Sequence, residues 1–154
     1  MLFLISPAVS MTMQIADAFV GLRVIEFAQG VAAPYCGLLL GRNGADVIKV
    51  EPPVKGDWCR GLGLRKGDFS SEFIVLNRGK KSLALDMKSP DGRAAAFKLA
   101  SNADVIIENY RPSVTKRLGV DYAAVAAVIL GSSMRLSLAL GEQALIVKCR
   151  QPIP

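Results

Sequence analysis

The sequence predicts an α/β fold, an open parallel sheet with flanking helices. Two observations carry that expectation. Residues 21–51, GLRVIEFAQGVAAPYCGLLLGRNGADVIKVE, spell a strand, a turn, a helix and a second strand. Another strand–helix–strand unit follows over residues 82–108, and successive units of this kind build an open α/β sheet. A crossover of this length joins parallel strands, whose ligands gather at the carboxyl ends. The expected site therefore lies near Ala28 to Ala33 and Glu51.

Leu22 to Phe27 is a short apolar run rich in branched residues, as in a strand buried on both faces. Gln29-Gly30 supplies the turn. Pro34 suits the first turn of a helix, where a missing N–H costs nothing. Leu38, Leu39 and Leu40 give that helix an apolar stripe, and Asn43-Gly44 ends it with residues tolerant of the left-handed conformation. Asp46 to Val50 is the next strand, closed by Glu51 and Pro52-Pro53. Residues 52–68 read as a long loop of the kind that is often functional. Its Trp58 is the single tryptophan of the chain, placed as a lid or interface anchor in preference to a stacking platform.

Glu72 to Asn77 forms a helical turn leading to Asn77-Arg78-Gly79-Lys80-Lys81. In Ser82 to Met87, Leu83, Leu85 and Met87 alternate as in a strand. Ser89 then caps a helix with Pro90 at its first position. That helix, Arg93 to Ala100, would turn Ala94, Phe97 and Leu99 or Ala100 inward. Ala103 to Glu108 is a further buried strand, and Asn109-Tyr110-Arg111-Pro112 turns out of it. Ser113 to Leu118 is a short helix ending at Gly119. Asp121 to Ile129 is an Ala-rich helix, and Leu136, Leu138 and Leu140 mark one more strand. Residues 142–154 show no clear element. The resulting sheet is Rossmann-like.

The 154 residues, 51% hydrophobic, make one ordinary domain with a real core. Residues 1–18 are expected to be a poorly ordered extension; they lack the basic start of a signal peptide, and no apolar span is long enough for a membrane helix. A net charge of +6 favours anionic partners. Nucleic acid is not expected among them, because aromatics are 6% of the chain and none interleave with the basic residues. Cys36, Cys59 and Cys149 form no CxxC pair, and the chain has no His, so no metal site is expected. The cysteines read as reduced thiols of a cytoplasmic protein. The lack of His also removes Ser-His-Asp, Cys-His and His-based proton abstraction within this chain.

Basic residues cluster at the predicted loop ends: Arg78, Lys80 and Lys81 before one strand, Arg111 and Arg117 after another. Such residues clamp phosphates or form a solvated basic face, and chemistry alone favours the second. A dinucleotide site over residues 21–51 would use Glu51 on a ribose. It would also need a Gly-rich fingerprint, and Ala28 to Ala33 holds a single Gly. Glu26, Glu51, Asp86 and Glu108 stand at strand ends, where they serve as structural ion-pair partners unless an activating group makes one a nucleophile or base. Asn109 sits where a ligand-facing side chain belongs.

Three segments together, residues 21–53, then NRGKKSLALDMKSPDGR, then ADVIIENYRPSVTKRLG, resemble the class III CoA-transferases. That family, CaiB/BaiF-like in fold, includes formyl-CoA transferase, carnitine CoA-transferase and α-methylacyl-CoA racemase. The similarity runs from about Gly21 to Gly119 and weakly to Gly141. It implies an amino-terminal α/β domain over residues 19–141, incomplete relative to the family, and a divergent tail over 142–154, a truncation or a frame change.

The resemblance further implies CoA or acyl-CoA as substrate, no permanently bound cofactor, and a carboxylic acid as the second partner. CoA contacts would fall at Val31 and Ala32, at Leu85, Asp86, Met87 and Lys88, and at Asn109, Tyr110 and Arg111. Arg117 would approach the phosphorylated end. These matches raise the phosphate clamp above the solvated face. The family's basic residue after Glu51 is replaced by Pro52. Family chemistry is covalent catalysis by an Asp carboxylate on the thioester, through an anhydride and an enzyme-bound thioester. That Asp has no counterpart here, so no catalytic residue is assigned and the chain alone is expected to be inactive. A racemase-like fragment and a non-catalytic CoA-binding module are the alternatives. The family assembles as interlocked homodimers whose carboxyl-terminal part completes the large domain.

Overall fold

The computed structural model describes residues 17–67 and 69–129 and two strands, 135–140 and 143–148. Strand β1 (Arg23–Phe27), helix α1 (Ala32–Arg42) and strand β2 (Asp46–Glu51) form the opening unit. Pro34 lies in the first turn of α1, and Asn43 caps its end. Residues 52–68 are not a plain loop: they hold a 3-10 turn (Trp58–Gly61) and strand β3 (Arg65–Lys66). Strand β3 pairs antiparallel with β4 (Phe69–Ser70). Helix α2 (Ser71–Asn77) follows, its first turn capped by Ser70, whose hydroxyl accepts the Phe73 N–H.

Strand β5 (Lys81–Ala84) stops short of the expected Met87. The Leu85 N–H still bonds the Glu51 carbonyl, but Ser89 N–H then closes a turn onto the Asp86 carbonyl. Leu85 to Lys88 therefore leave the sheet and wrap the end of β2. Helix α3 (Pro90–Ser101) starts as its sequence predicts, with Ser89 Oγ accepting the Gly92 N–H and Pro90 in the first turn. Its buried stripe is Gly92, Ala96 and Ala100; Ala94 is exposed. The stripe is set by Gly92, since a Cβ there would overlap the Asp86 carbonyl. Strand β6 (Val105–Glu108), helix α4 (Pro112–Leu118) and helix α5 (Tyr122–Ile129) complete the parallel part.

The sheet order is β5-β2-β1-β6-β8-β7, with β7 (Arg135–Leu140) and β8 (Gln143–Lys148) antiparallel to their neighbours. Strand β8 falls in the tail that the sequence left without an element. Strands β5, β2, β1 and β6 run parallel. Chain order reverses between β1 and β6, the topological switch point at which such sheets hold ligands. The predicted extension over residues 1–18 lies largely outside the described residues, as do residues 149–154. Among the described residues, no helix is long and apolar enough to cross a membrane.

Two-residue alternation sends opposite sets of side chains to the two faces. Ile25, Phe27, Val50 and Ile106 pack under Ala96 and Ala100 of α3 and Val125 of α5. Val24, Ala28, Val47, Val105 and Ile107 pack on the other face with Ala33, Cys36 and Leu40 of α1.

Candidate functional site

The α1 face of the sheet carries charge as well as apolar side chains. Register aligns Glu26 of β1 with Lys49 of β2, so both point beneath α1. They meet at 2.8 Å, with both side chains almost completely buried. Lys49 Nζ also pairs with Asp57 at 2.8 Å, and Lys80 Nζ with Glu26 at 2.7 Å. The result is a buried chain of alternating charge, Asp57–Lys49–Glu26–Lys80. Further hydrogen bonds anchor it: Lys49 donates to the Ala28 carbonyl, and Lys80 to the Pro34 carbonyl and the Asn77 side-chain oxygen. Asp57 accepts from the Gly30 and Cys59 N–H groups. A Cβ at residue 37 would overlap the Glu26 carboxylate, so α1 needs Gly37 to lie this close to the sheet.

Burial opposes the charge of Lys49, but Glu26 and Asp57 outweigh it and hold its pKa above the ordinary lysine value. At Lys80 burial prevails over Glu26, and the pKa is lowered. Burial pushes the Cys36 and Cys59 thiols up, so neither is an activated nucleophile.

This ionic chain fixes the turn after β1. Ala28 is tied to Lys49, Gly30 to Asp57, and Gln29 to Asn109 of the β6 turn. Asn109 Nδ2 donates to the Gln29 carbonyl at 2.6 Å and its Oδ1 accepts the Gln29 N–H at 3.1 Å. That pair of hydrogen bonds latches the switch point, and it occupies the amide that the sequence placed toward a ligand. Gln29 Nε2 donates to the Tyr110 hydroxyl at 3.4 Å.

Beside this latch lies a cleft of about 180 Å³ at the carboxyl ends of β1 and β2. Phe27, Val50, Leu85, Met87, Tyr110 and Leu118 make it apolar, and Lys88 and Arg117 bring positive charge to it. Asp86 also lines it and accepts the Lys88 N–H at 3.0 Å. Six of the residues singled out from the sequence thus meet in one cleft: Leu85, Asp86, Met87, Lys88, Tyr110 and Arg117. Four do not line it. Val31 and Ala32 lie exposed at the start of α1, Asn109 forms the latch, and Arg111 caps α4 from an exposed position.

Glu51 forms part of the floor and is committed to structure. Arg60 grips it through Nε at 2.7 Å and a second nitrogen at 2.8 Å, while the Asp57 N–H and Ser82 hydroxyl donate to it as well. Burial alone would raise its pKa; bonds from Arg60, Asp57 and Ser82 instead pull it to about 2. A carboxylate held so firmly ionised does not shuttle protons near neutrality.

Among the basic residues read as clamp candidates, Lys80 is buried against Glu26 and Lys81 pairs with Asp46 at 2.7 Å. Neither faces the cleft. Sequence reasoning missed Lys49, Asp57 and Arg60. A lysine inside an otherwise apolar strand, beside a strand carrying a glutamate, was the available signal. Trp58 stands over Gly30, about half exposed, and a Cβ at residue 30 would meet its ring at 2.5 Å.

Fold and cleft together define an α/β domain with an apolar cleft, edged by two cations, at the ends of parallel strands. The model of CoA-transferase family III matches residues 19–129, and the chain belongs to that family. It is 39% identical over 113 residues to the succinyl-CoA–D-citramalate CoA-transferase of Chloroflexus aurantiacus, covering 73% of this chain and 28% of that protein. It is 40% identical over 110 residues to the acetyl-CoA:oxalate CoA-transferase of Acetobacter aceti, covering 71% and 28%. A solved CaiB/BaiF family protein from Brucella suis superimposes with a TM-score of 0.68 at 36% identity, covering 73% of this chain and 31% of that one. The chain therefore spans about 28% of the length of these curated relatives.

Proposed function

We propose that this chain binds the nucleotide end of CoA or an acyl-CoA in the cleft between Phe27, Leu85, Met87 and Tyr110. Lys88 and Arg117 attract its phosphates. The observation that carries the reading is the pairing of an apolar cleft with two cations at the ends of parallel strands. A cleft of about 180 Å³ accommodates a ring system and leaves the rest of a CoA-sized ligand outside. Guanidinium and ammonium groups at its edge supply charge-assisted hydrogen bonds to phosphate.

The reaction this binding serves is transfer of CoA between an acyl-CoA and a carboxylic acid, as in the named relatives. The chain's own residues bind and orient the thioester carrier. Glu26 and Glu51 are locked in ion pairs and supply no nucleophile. We assign no catalytic residue within the matched region, residues 19–129. The interlocked homodimer and the cytoplasmic setting belong to this same reading.

Calorimetry with CoA tests it. The chain should bind, and Arg117→Ala should weaken binding roughly tenfold, the worth of one charge-assisted contact. No heat with either protein would remove the proposal.

A further inference from the structure

A second cleft, of about 500 Å³, opens on the other side of the Glu51–Pro52 segment, and these two residues line both clefts. Its character is opposite to that of its neighbour. Lys55, Arg60 and Arg65 face Glu51 as the sole carboxylate of its lining, with Ser82 and the backbones of Gly56 and Gly61 between them. Arg60 and Glu51 neutralise each other, and Arg60 is further stacked 3.7 Å above the Phe73 ring. The Ser82 hydroxyl is bonded to Glu51. Lys55 and Arg65 remain. Both are exposed, and neither side chain has an ion pair or hydrogen bond among the described residues.

We infer that this second cleft is an oxyanion site, with Lys55 and Arg65 as its binding residues. Two cations from separate segments lining one concave surface, with no counter-ion of their own among the described residues, are complementary to an anionic oxygen group. Arg60 cannot supply that role, because Glu51 already takes two of its nitrogens; it stiffens the wall instead. The shared wall at Glu51 and Pro52 lets one elongated ligand reach both clefts. The oxyanion is either a phosphate monoester on the nucleotide or a carboxylate of an acid substrate. Only the choice of carrier rests on the reading of the neighbouring cleft.

The test uses the full chain and the variant K55Q/R65Q, whose altered side chains are exposed and have no partner among the described residues, titrated calorimetrically with four probes: CoA, dephospho-CoA, succinate and inorganic phosphate. Loss of about tenfold in CoA affinity with dephospho-CoA unchanged supports the site and assigns it the phosphate monoester. Loss of succinate binding with CoA unchanged supports the site and assigns it a carboxylate. Arg65→Gln should act where Lys66→Gln, which removes equal charge from outside the cleft, does not. If the double variant binds CoA, succinate and phosphate as the parent does, or if Lys66→Gln weakens them equally, the site is overturned. Should neither CoA form bind the parent chain, the nucleotide reading of the neighbouring cleft fails. Phosphate and succinate then decide alone: binding that depends on Lys55 and Arg65 supports the oxyanion site, and no binding overturns it.

Discussion

The two faces of the parallel sheet are held by different physics. Beneath α3 and α5, Ile25, Phe27, Val50 and Ile106 meet Ala96, Ala100 and Val125 in an apolar core. Beneath α1, small apolar residues surround the chain Asp57–Lys49–Glu26–Lys80. Apolar packing is non-directional and gains with area removed from water. Buried ion pairs gain little net stability, yet are costly to break and demand one geometry. The charged face therefore fixes position: its carboxylates and ammonium groups grip Ala28, Gly30 and Pro34 by their backbones. No buried side-chain nitrogen or oxygen among the described residues is left without a partner. One face supplies stability and the other places the turn beside the cleft.

Lys49→Met breaks this contrast hardest. It strands Glu26 and Asp57 with one cation fewer and should cost about 3–5 kcal/mol in denaturant unfolding. Adding Glu26→Gln should recover part of that loss; a double variant weakened by the plain sum of both changes would show that the charges are not coupled. Acid comes next. The folded pKa of Glu51 is depressed from the ordinary 4.5 to about 2, so its contribution is complete above pH 4.5 and lost as pH falls through 2. That depression is worth about 3 kcal/mol. Glu51→Gln should flatten the stability profile across this window, and a gap between the two proteins that does not change with pH would contradict the assignment. The smallest effect belongs to the apolar face. Ile106→Val should cost about 0.5–1.5 kcal/mol and leave CoA binding unchanged.

The opening β1–α1–β2 unit was legible because its signals are local: branched apolar runs, Pro34 in the first helical turn and Asn43-Gly44 after the last. Ser89-Pro90 announced α3 for the same reason. Residues 52–68 were not legible as structure, since their shape comes from Asp57 and Arg60 bonding to Gly30 and Glu51, contacts that no local pattern records. Lys80 looked like a loop cation and is instead buried by its approach to Glu26 across 54 positions of sequence. Strand β8 was missed because its pairing to β6 and β7 is set by the sheet. Of the site, Leu85 to Lys88, which wrap β2, Tyr110 just before α4 and Arg117 in its last turn were found through the family resemblance. The Asn109 latch was misread because a polar residue after a strand looks the same whether it faces a ligand or a neighbouring turn.

Backbone chemical-shift mapping of the isotope-labelled chain with CoA tests the central claim most directly. Shifts should concentrate at Leu85 to Lys88, Tyr110 and Arg117, around the apolar cleft. No shifts, or shifts confined to Arg23, Ala95, Lys98 and Asn102 in the groove on the other side of Leu85, would contradict it.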